Sequence, residues 1–119
     1  MGENSVKEKQ KIALKVDALD NVATIFTEGI QAGDSLAVQG PQGLEEKVMA
    51  QNAIPYGHKI AVTDIPLGAA IVKYGQRIGV ASQAIPIGGY VHVHNMEAMR
   101  GRGDRTQGQN ETSKTGEEL

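Results

Sequence analysis

The sequence predicts a small all-β fold, a barrel or clip of short strands joined by tight turns, and three observations support this. Runs of β-branched and other apolar residues are short, and each is bounded by Gly or Pro. The chain has 15 Gly but only 3 Tyr, 1 Phe and no Trp, so its core must consist of Val, Ile, Leu and Ala. One turn motif also recurs along the chain. Seven or eight short strands of this kind are typical of a small barrel.

The recurring motif has an apolar residue, then Pro or a polar residue, then a Gly two positions later and another apolar residue after that. Copies begin at Ile54, Ile65 and Ile85, and a looser copy begins at Ile30. Pro restricts φ at the start of the turn, and Gly supplies the positive φ of a type II turn. Each copy is therefore expected to be a turn that starts a strand. The copies are irregularly spaced, which argues against a solenoid.

The strand candidates are the apolar runs between these turns: residues 12–16, 22–27, 36–38, 60–63, 71–74, 78–81 and 90–93. Residues 44–51 fit either a helix or one face of a strand. We interpret them as a strand, because the residues after them enter the turn motif.

The length of 119 residues, with a mass of 12.6 kDa, allows one small domain. We expect the folded domain to span residues 12–98, with a flexible arm over 1–11. Residues 99–119 are almost entirely polar and are expected to form a disordered tail. So small a core is near the lower limit for independent folding, so a partner or a homo-oligomer could supply additional burial.

Composition excludes several classes of protein. Twelve Lys and Arg against 14 Asp and Glu leave a net charge of -2, which argues against a nucleic-acid binder. There is no cysteine, hence no disulfide and no thiolate metal site. No apolar run approaches the roughly 20 residues that span a bilayer. The polar start of the chain lacks the apolar stretch of a signal peptide, so a cytoplasmic location is expected.

The histidines are the first candidates for chemistry. His92 and His94 alternate with Val91 and Val93, so on a strand both imidazoles would share a face and could hold one metal ion or anion. The same pattern fits equally well the polar face of a solvated edge strand.

Cationic side chains occur in two further turns. His58 and Lys59 come after Gly57, where the backbone can approach a carboxylate or phosphate closely. Lys73 and Arg77 flank a second polar turn. On residue types alone, a surface pair and a solvated hairpin tip are the simpler interpretations of these two groups.

Motifs in the order found here resemble those of the altronate/galactarate dehydratase family over roughly residues 12–96. The motifs that carry the resemblance are Ile54-Pro55-x-Gly57-His58-Lys59, Asp64-Ile65-Pro66-x-Gly68, Lys73-Tyr74-Gly75 and Val91-His92-x-His94-Asn95. The segment Asp20-Asn21-Val22-Ala23 also looks like the start of the family's domain. The Ile-Pro-x-Gly turns alone are less specific, because the wider SAF superfamily shares them.

The resemblance implies an SAF-type β-clip fold and a part in dehydrating sugar acids to 2-keto-3-deoxy acids, as a small subunit or as the N-terminal domain of a longer chain. It implies a large catalytic partner and a divalent metal, iron or manganese. On this basis we expect His58, His92 and His94 to be catalytic, with His92 and His94 also as metal ligands. Substrate binding would fall to Lys59, Lys73, Arg77 and Asn95.

Two alternatives remain open. A sulfolactate sulfo-lyase subunit has the same fold and a different leaving group. A non-catalytic SAF module that binds a ligand is the alternative from another class. The apolar turn residues Tyr56, Leu67 and Ile87 would either form a docking patch or fold back onto the barrel.

Overall fold

The structure, a computed structural model, describes residues 10–98, and this part of the chain is all-β. Its nine strands are β1 (Ile12–Leu14), β2 (Val22–Ile25), β3 (Ser35–Gly40), β4 (Gly43–Met49), β5 (Lys59–Ala61), β6 (Ala70–Lys73), β7 (Gln76–Ala81), β8 (Tyr90–Val91) and β9 (Met96–Ala98). Nothing in residues 10–98 forms a helix of the length and apolarity that a bilayer crossing requires. The expected arm and tail lie almost entirely outside the described residues.

The strands form two sheets. One has six strands in the order β4-β3-β1-β2-β5-β8, and the other has three in the order β6-β7-β9. Neighbours are antiparallel except β1 and β3, which are parallel. Strand β4 lies at one edge of the large sheet and β8 at the other, so β8 has one paired edge and one open edge.

Every copy of the turn motif has the conformation that the sequence predicts. The four glycines, Gly33, Gly57, Gly68 and Gly88, have φ of 94°, 86°, 83° and 88°. In each turn the residue after the glycine donates its N–H to the carbonyl three residues earlier, as His58 does to Pro55 at 3.1 Å. Strands β3, β5, β6 and β8 each begin two residues after one of these glycines.

The four turns associate as two antiparallel pairs. Ile30 bridges Ile54, and Ile65 bridges Ile85. All four isoleucines are buried, the first two in a core cluster with Leu36 and the last two in a second cluster. The motif thus joins the two sheets through two small cores, which meet at β5, where Ile60 belongs to the first cluster and Ala61 to the second.

Asp20 and Asn21 attach the β6–β7 hairpin to the large sheet. The Asp20 carboxylate accepts the N–H of Gly75 at 2.7 Å, and the Asn21 amide bonds the backbone of Ala70 at 2.9 Å and of Val72 at 2.8 Å. Asp20 is buried, so its lone pairs are satisfied by backbone rather than by water. This is a physical reason for an Asp-Asn pair directly before β2.

Most strand predictions are confirmed, including the strand interpretation of residues 44–51, but two differ. The predicted strand over 90–93 is wrong beyond Val91, because the chain turns at residues 92–95 and leaves Val93 76% exposed. Strand β9 was not predicted. It pairs with β7 where Gly79 allows close approach, since a Cβ there would meet the carbonyl oxygen of Glu97. Tyr56, Leu67 and Ile87 are all exposed, and the Tyr56 ring packs on Phe26.

Candidate functional site

The pairing of β5 with β8 brings the sequence-predicted histidines together. Lys59 lies across from Val91, and Ile60 lies across from Tyr90. Continuing this antiparallel register by one residue places His58 across from His92. Because side chains alternate along a strand, His58 and His92 then share a face with Tyr90.

Four rings form what we call the imidazole cluster: His58, Tyr90, His92 and His94. The His58 and His92 ring centroids are 4.7 Å apart. Tyr90 stacks on His92 with centroids 5.6 Å apart and planes 15° apart, and His94 meets Tyr90 edge-on at 5.5 Å. The Tyr90 hydroxyl lies 2.6 Å from Nδ1 of His58. All three histidines of the chain therefore gather around one tyrosine.

Asn95 shapes the turn that carries His92 and His94. Its Oδ1 accepts the N–H of His92 at 3.0 Å, and its Nδ2 donates to the carbonyl of Tyr90 at 2.9 Å. Asn95 is 6% exposed, so these bonds replace water contacts that the buried amide has lost. The two imidazoles reach the cluster from a turn held by Asn95, and not from the extended strand that the alternation suggested. The expected contact of Asn95 with substrate remains a prediction.

Tyr90 was not among the predicted site residues. Its ring packs against the first core cluster, and its N–H donates to Oδ1 of Asn52 at 3.1 Å. A signal was present in the sequence, because the alternation that selects His92 and His94 also selects position 90.

Lys59 and Lys73 form a second group, which we call the lysine pair. Lys59 and Ala61 share a face of β5, because side chains alternate along a strand. The Ala61 side chain lies in the second core, so Lys59 is on the opposite face of β5 from His58. Partial burial, followed by the nearby Lys73 ammonium, lowers the pKa of Lys59 from its usual value. Both causes disfavour the charged amine, and a bound anion would counteract both.

The charge of Lys59 also acts on the imidazole cluster. The pKa of His92 is lowered by desolvation of its ring, followed by the neighbouring His58, Lys59 and His94. A lowered pKa keeps the imidazole neutral near pH 7, which leaves a nitrogen lone pair able to accept a proton or to bind a metal.

Arg77 occupies a different position. It pairs across from Val72, while Lys73 pairs with Gln76, so Arg77 and Lys73 extend from opposite faces of the hairpin. The structure brings Lys73 near Lys59 but places Arg77 on the other face of the hairpin. The role of Arg77 in substrate binding remains a prediction.

The expected iron or manganese fits these residues only incompletely. Within residues 10–98, no three or more His, Asp or Glu side chains are arranged to hold a metal ion. The Tyr90 hydroxyl, moreover, already engages Nδ1 of His58. A metal bound by His92 or His94 would need ligands from outside this part of the chain.

Fold and site together define a small β-clip domain with three imidazoles gathered where β5 pairs with the edge strand β8, and with the Lys59 ammonium on the opposite face of β5. Comparison with known families then identifies it: the chain belongs to the altronate/galactarate dehydratase SAF domain family, whose model matches residues 11–99.

Curated relatives carry this domain in proteins of two sizes. The chain is 37% identical over 87 residues to the (2R)-sulfolactate sulfo-lyase subunit alpha of Chromohalobacter salexigens, an alignment covering 71% of this chain and 90% of that subunit. It is 42% identical over 79 residues to the galactarate dehydratase (L-threo-forming) of Escherichia coli, covering 66% of this chain and 14% of that enzyme. It is 38% identical over 82 residues to the altronate dehydratase of E. coli, covering 69% of this chain and 15% of that enzyme.

Proposed function

We propose that this domain is the SAF component of a sugar-acid dehydratase of the altronate/galactarate type, as a small subunit or N-terminal domain, and that it binds the hydroxy-acid substrate beside a large catalytic partner. The observation that carries the proposal is the convergence of all three histidines of the chain on Tyr90, with the charge of Lys59 acting on His92 from the opposite face of β5.

The chemistry of such an elimination matches these groups. Removal of the proton α to a carboxylate builds negative charge on that carboxylate, which nearby cations stabilise. The lysine pair would bind the carboxylate, because an anion offsets both the burial and the mutual repulsion of the two ammonium groups. Neutral His92 would accept the α-proton, and His94 in its protonated form would donate a proton to the hydroxyl that leaves as water.

The large partner is part of the proposal because the two dehydratases are about seven times longer than the region they share with this chain, which covers 14% and 15% of them. In those enzymes most of the sequence lies outside the SAF domain.

The test combines the purified full chain with the polypeptide encoded beside it, with added iron(II), manganese or magnesium. Altronate, galactarate and (2R)-sulfolactate are each assayed for 2-keto acid and sulfite. We expect 2-keto acid from altronate or galactarate only in the mixture. If no substrate is consumed and no complex forms, the chain is instead a non-catalytic ligand-binding module.

Substitutions in this chain, assayed in the same mixture, test the roles of individual residues. His92→Ala and His94→Ala should each lower kcat by about a hundredfold, the usual contribution of an acid or base. Val93→Ala is the matched control, because Val93 lies between them in the same turn and is exposed. Nearly wild-type rates from both histidine variants would remove them from the mechanism.

The role of the lysine pair is tested by measuring KM in the same mixture. Lys59→Ala and Lys73→Ala should each raise KM roughly tenfold or more, the effect of losing a charged hydrogen bond. Lys47→Ala on the exposed face of β4 is the control and should leave KM unchanged.

A sulfo-lyase subunit is the second candidate, and one observation favours it. The chain spans 90% of the sulfo-lyase alpha subunit but about one seventh of each dehydratase. In this case the same residues would hold the carboxylate, and sulfite would leave in place of water. Release of sulfite from (2R)-sulfolactate in the assay above, without turnover of altronate or galactarate, would establish this candidate over the first.

A further inference from the structure

Tyr90 is held in place from several sides. Asn52 accepts its N–H at 3.1 Å, Asn95 donates to its carbonyl at 2.9 Å, and its ring packs against the first core cluster. From this fixed position its hydroxyl lies 2.6 Å from Nδ1 of His58. So short a contact between a hydroxyl and an imidazole nitrogen is a hydrogen bond.

Acidity determines which of the two groups donates. A neutral imidazole has one N–H donor and one bare nitrogen acceptor, and a phenol can do either. A phenol O–H is a more acidic donor than a neutral imidazole N–H, and a bare imidazole nitrogen is a more basic acceptor than a phenol oxygen. The stronger pairing therefore runs from the Tyr90 hydroxyl to Nδ1 of His58, which leaves the imidazole proton on Nε2.

We propose that Tyr90 is a positioning residue that holds neutral His58 in the Nε2–H tautomer, so that His58 offers a hydrogen-bond donor, and not a lone pair, at Nε2. The use of this donor rests on the function proposed above: Nε2–H would bond a carboxylate oxygen of the substrate. His58 would then not be the base that removes the α-proton, and that role would remain with His92.

The test reads the tautomer directly in the full chain, without substrate or partner. Long-range ¹H–¹⁵N correlation spectra of the ¹⁵N-labelled protein are recorded at about pH 8.5, where an unperturbed imidazole is neutral. We expect His58 to show a protonated Nε2 and a bare Nδ1. In Tyr90→Phe, which keeps the ring, the ratio of Nε2–H to Nδ1–H should fall about fivefold or more, as for the loss of one hydrogen bond.

Tyr56→Phe is the matched control. It removes a phenol hydroxyl from the turn that precedes His58, and the Tyr56 ring packs on Phe26 rather than on the imidazole cluster. The His58 tautomer should be unchanged in this variant. A purely structural role of the Tyr90 ring would also leave the tautomer of Tyr90→Phe unchanged.

Two results would overturn the proposal. One is a wild-type His58 that carries its proton on Nδ1, since Tyr90 would then be the acceptor. The other is an unaltered tautomer ratio in a folded Tyr90→Phe protein. If that variant fails to fold, the wild-type spectrum alone decides. Neither measurement depends on turnover, so the proposed function can fail separately.

Discussion

The turns at Pro55–His58 and Pro86–Gly89 have the same backbone geometry as those at Gln31–Asp34 and Pro66–Ala69, yet only the first two border the imidazole cluster. All four carry a positive-φ glycine and start a strand. The turns differ in the side chains that come after the glycine. His58 and Lys59 come after one glycine and Tyr90 lies two residues after another, but Asp34 and Ala69 come after the remaining two.

The backbone geometry of the turns is therefore independent of the side chains that could carry chemistry. Turn geometry depends on the glycine and on backbone hydrogen bonds, so it tolerates different side chains at the neighbouring positions. Chemistry arises where two such turns start strands that pair directly with each other, as β5 and β8 do. The turns that start β3 and β6 have no such direct pairing, and their strands belong to different sheets.

The largest effect is expected from replacing a turn glycine, and it should differ between Gly88 and Gly57 because their surroundings differ. Gly88→Ala adds a Cβ that would meet the carbonyl oxygen of Met49, in addition to the cost of its φ of +88°. Gly57→Ala meets nothing within 4 Å and bears only the conformational cost, at φ +86°. We expect a loss of about 1–2 kcal/mol for Gly57→Ala. For Gly88→Ala we expect a loss of about 4 kcal/mol or more.

Urea unfolding followed by circular dichroism measures both losses. Equal destabilisation by the two substitutions would contradict the close packing assigned to Gly88 and would make the turns energetically as well as geometrically equivalent.

The next effect concerns the two asparagines that hold Tyr90. Asn95→Ala leaves the N–H of His92 and the carbonyl of Tyr90 without their partner in a buried setting, so it should destabilise the domain by about 2–3 kcal/mol. Asn52→Ala removes one bond at an exposed site and should cost about 1 kcal/mol or less. Thermal unfolding of both variants gives the comparison, and a larger loss for Asn52→Ala would refute it.

A smaller effect tests the lysine pair. Lys73→Met removes the like charge that helps to lower the pKa of Lys59, so that pKa should rise. It should stay below its usual value, because burial is the larger cause. The measurement is an NMR titration of the Lys59 side chain, with Lys47→Met as the control. An unchanged Lys59 titration in Lys73→Met would show that the two ammonium groups do not interact.

The smallest effect links the two faces of β5. Lys59→Met should raise the pKa of His92, because it removes a positive charge that helps to lower that pKa. The rise should be small, because desolvation and His58 lower the pKa of His92 more than Lys59 does. The folded-state pKa of His92 is lowered, so the unfolded chain binds more protons just below pH 6.5. Stability should therefore fall as pH decreases through about 6.5 toward the folded-state pKa. NMR titration of His92 checks the shift, and an unaltered titration in Lys59→Met would show that Lys59 does not act on His92.

Much of the fold could be predicted because it depends on local residue types. The turn glycines require positive φ, and the isoleucine that precedes each of them is buried. The site could be predicted only in part. The histidines were identified, but Tyr90 and the Asn95 turn were not, because their roles depend on hydrogen bonds whose geometry the spacing of residues does not specify.

The all-β class, the four turns and the candidate residues follow from the amino-acid sequence alone, since each depends on side-chain type and short-range periodicity. The pairing of β5 with β8 depends instead on contacts between distant segments, and it brings the His58 and His92 rings to 4.7 Å while Lys59 lies on the other face of β5. The tertiary structure also placed Arg77 and Lys73 on opposite faces of their hairpin. Strand pairing and register are set by the burial of two cores, which depends on contacts between residues far apart in the chain.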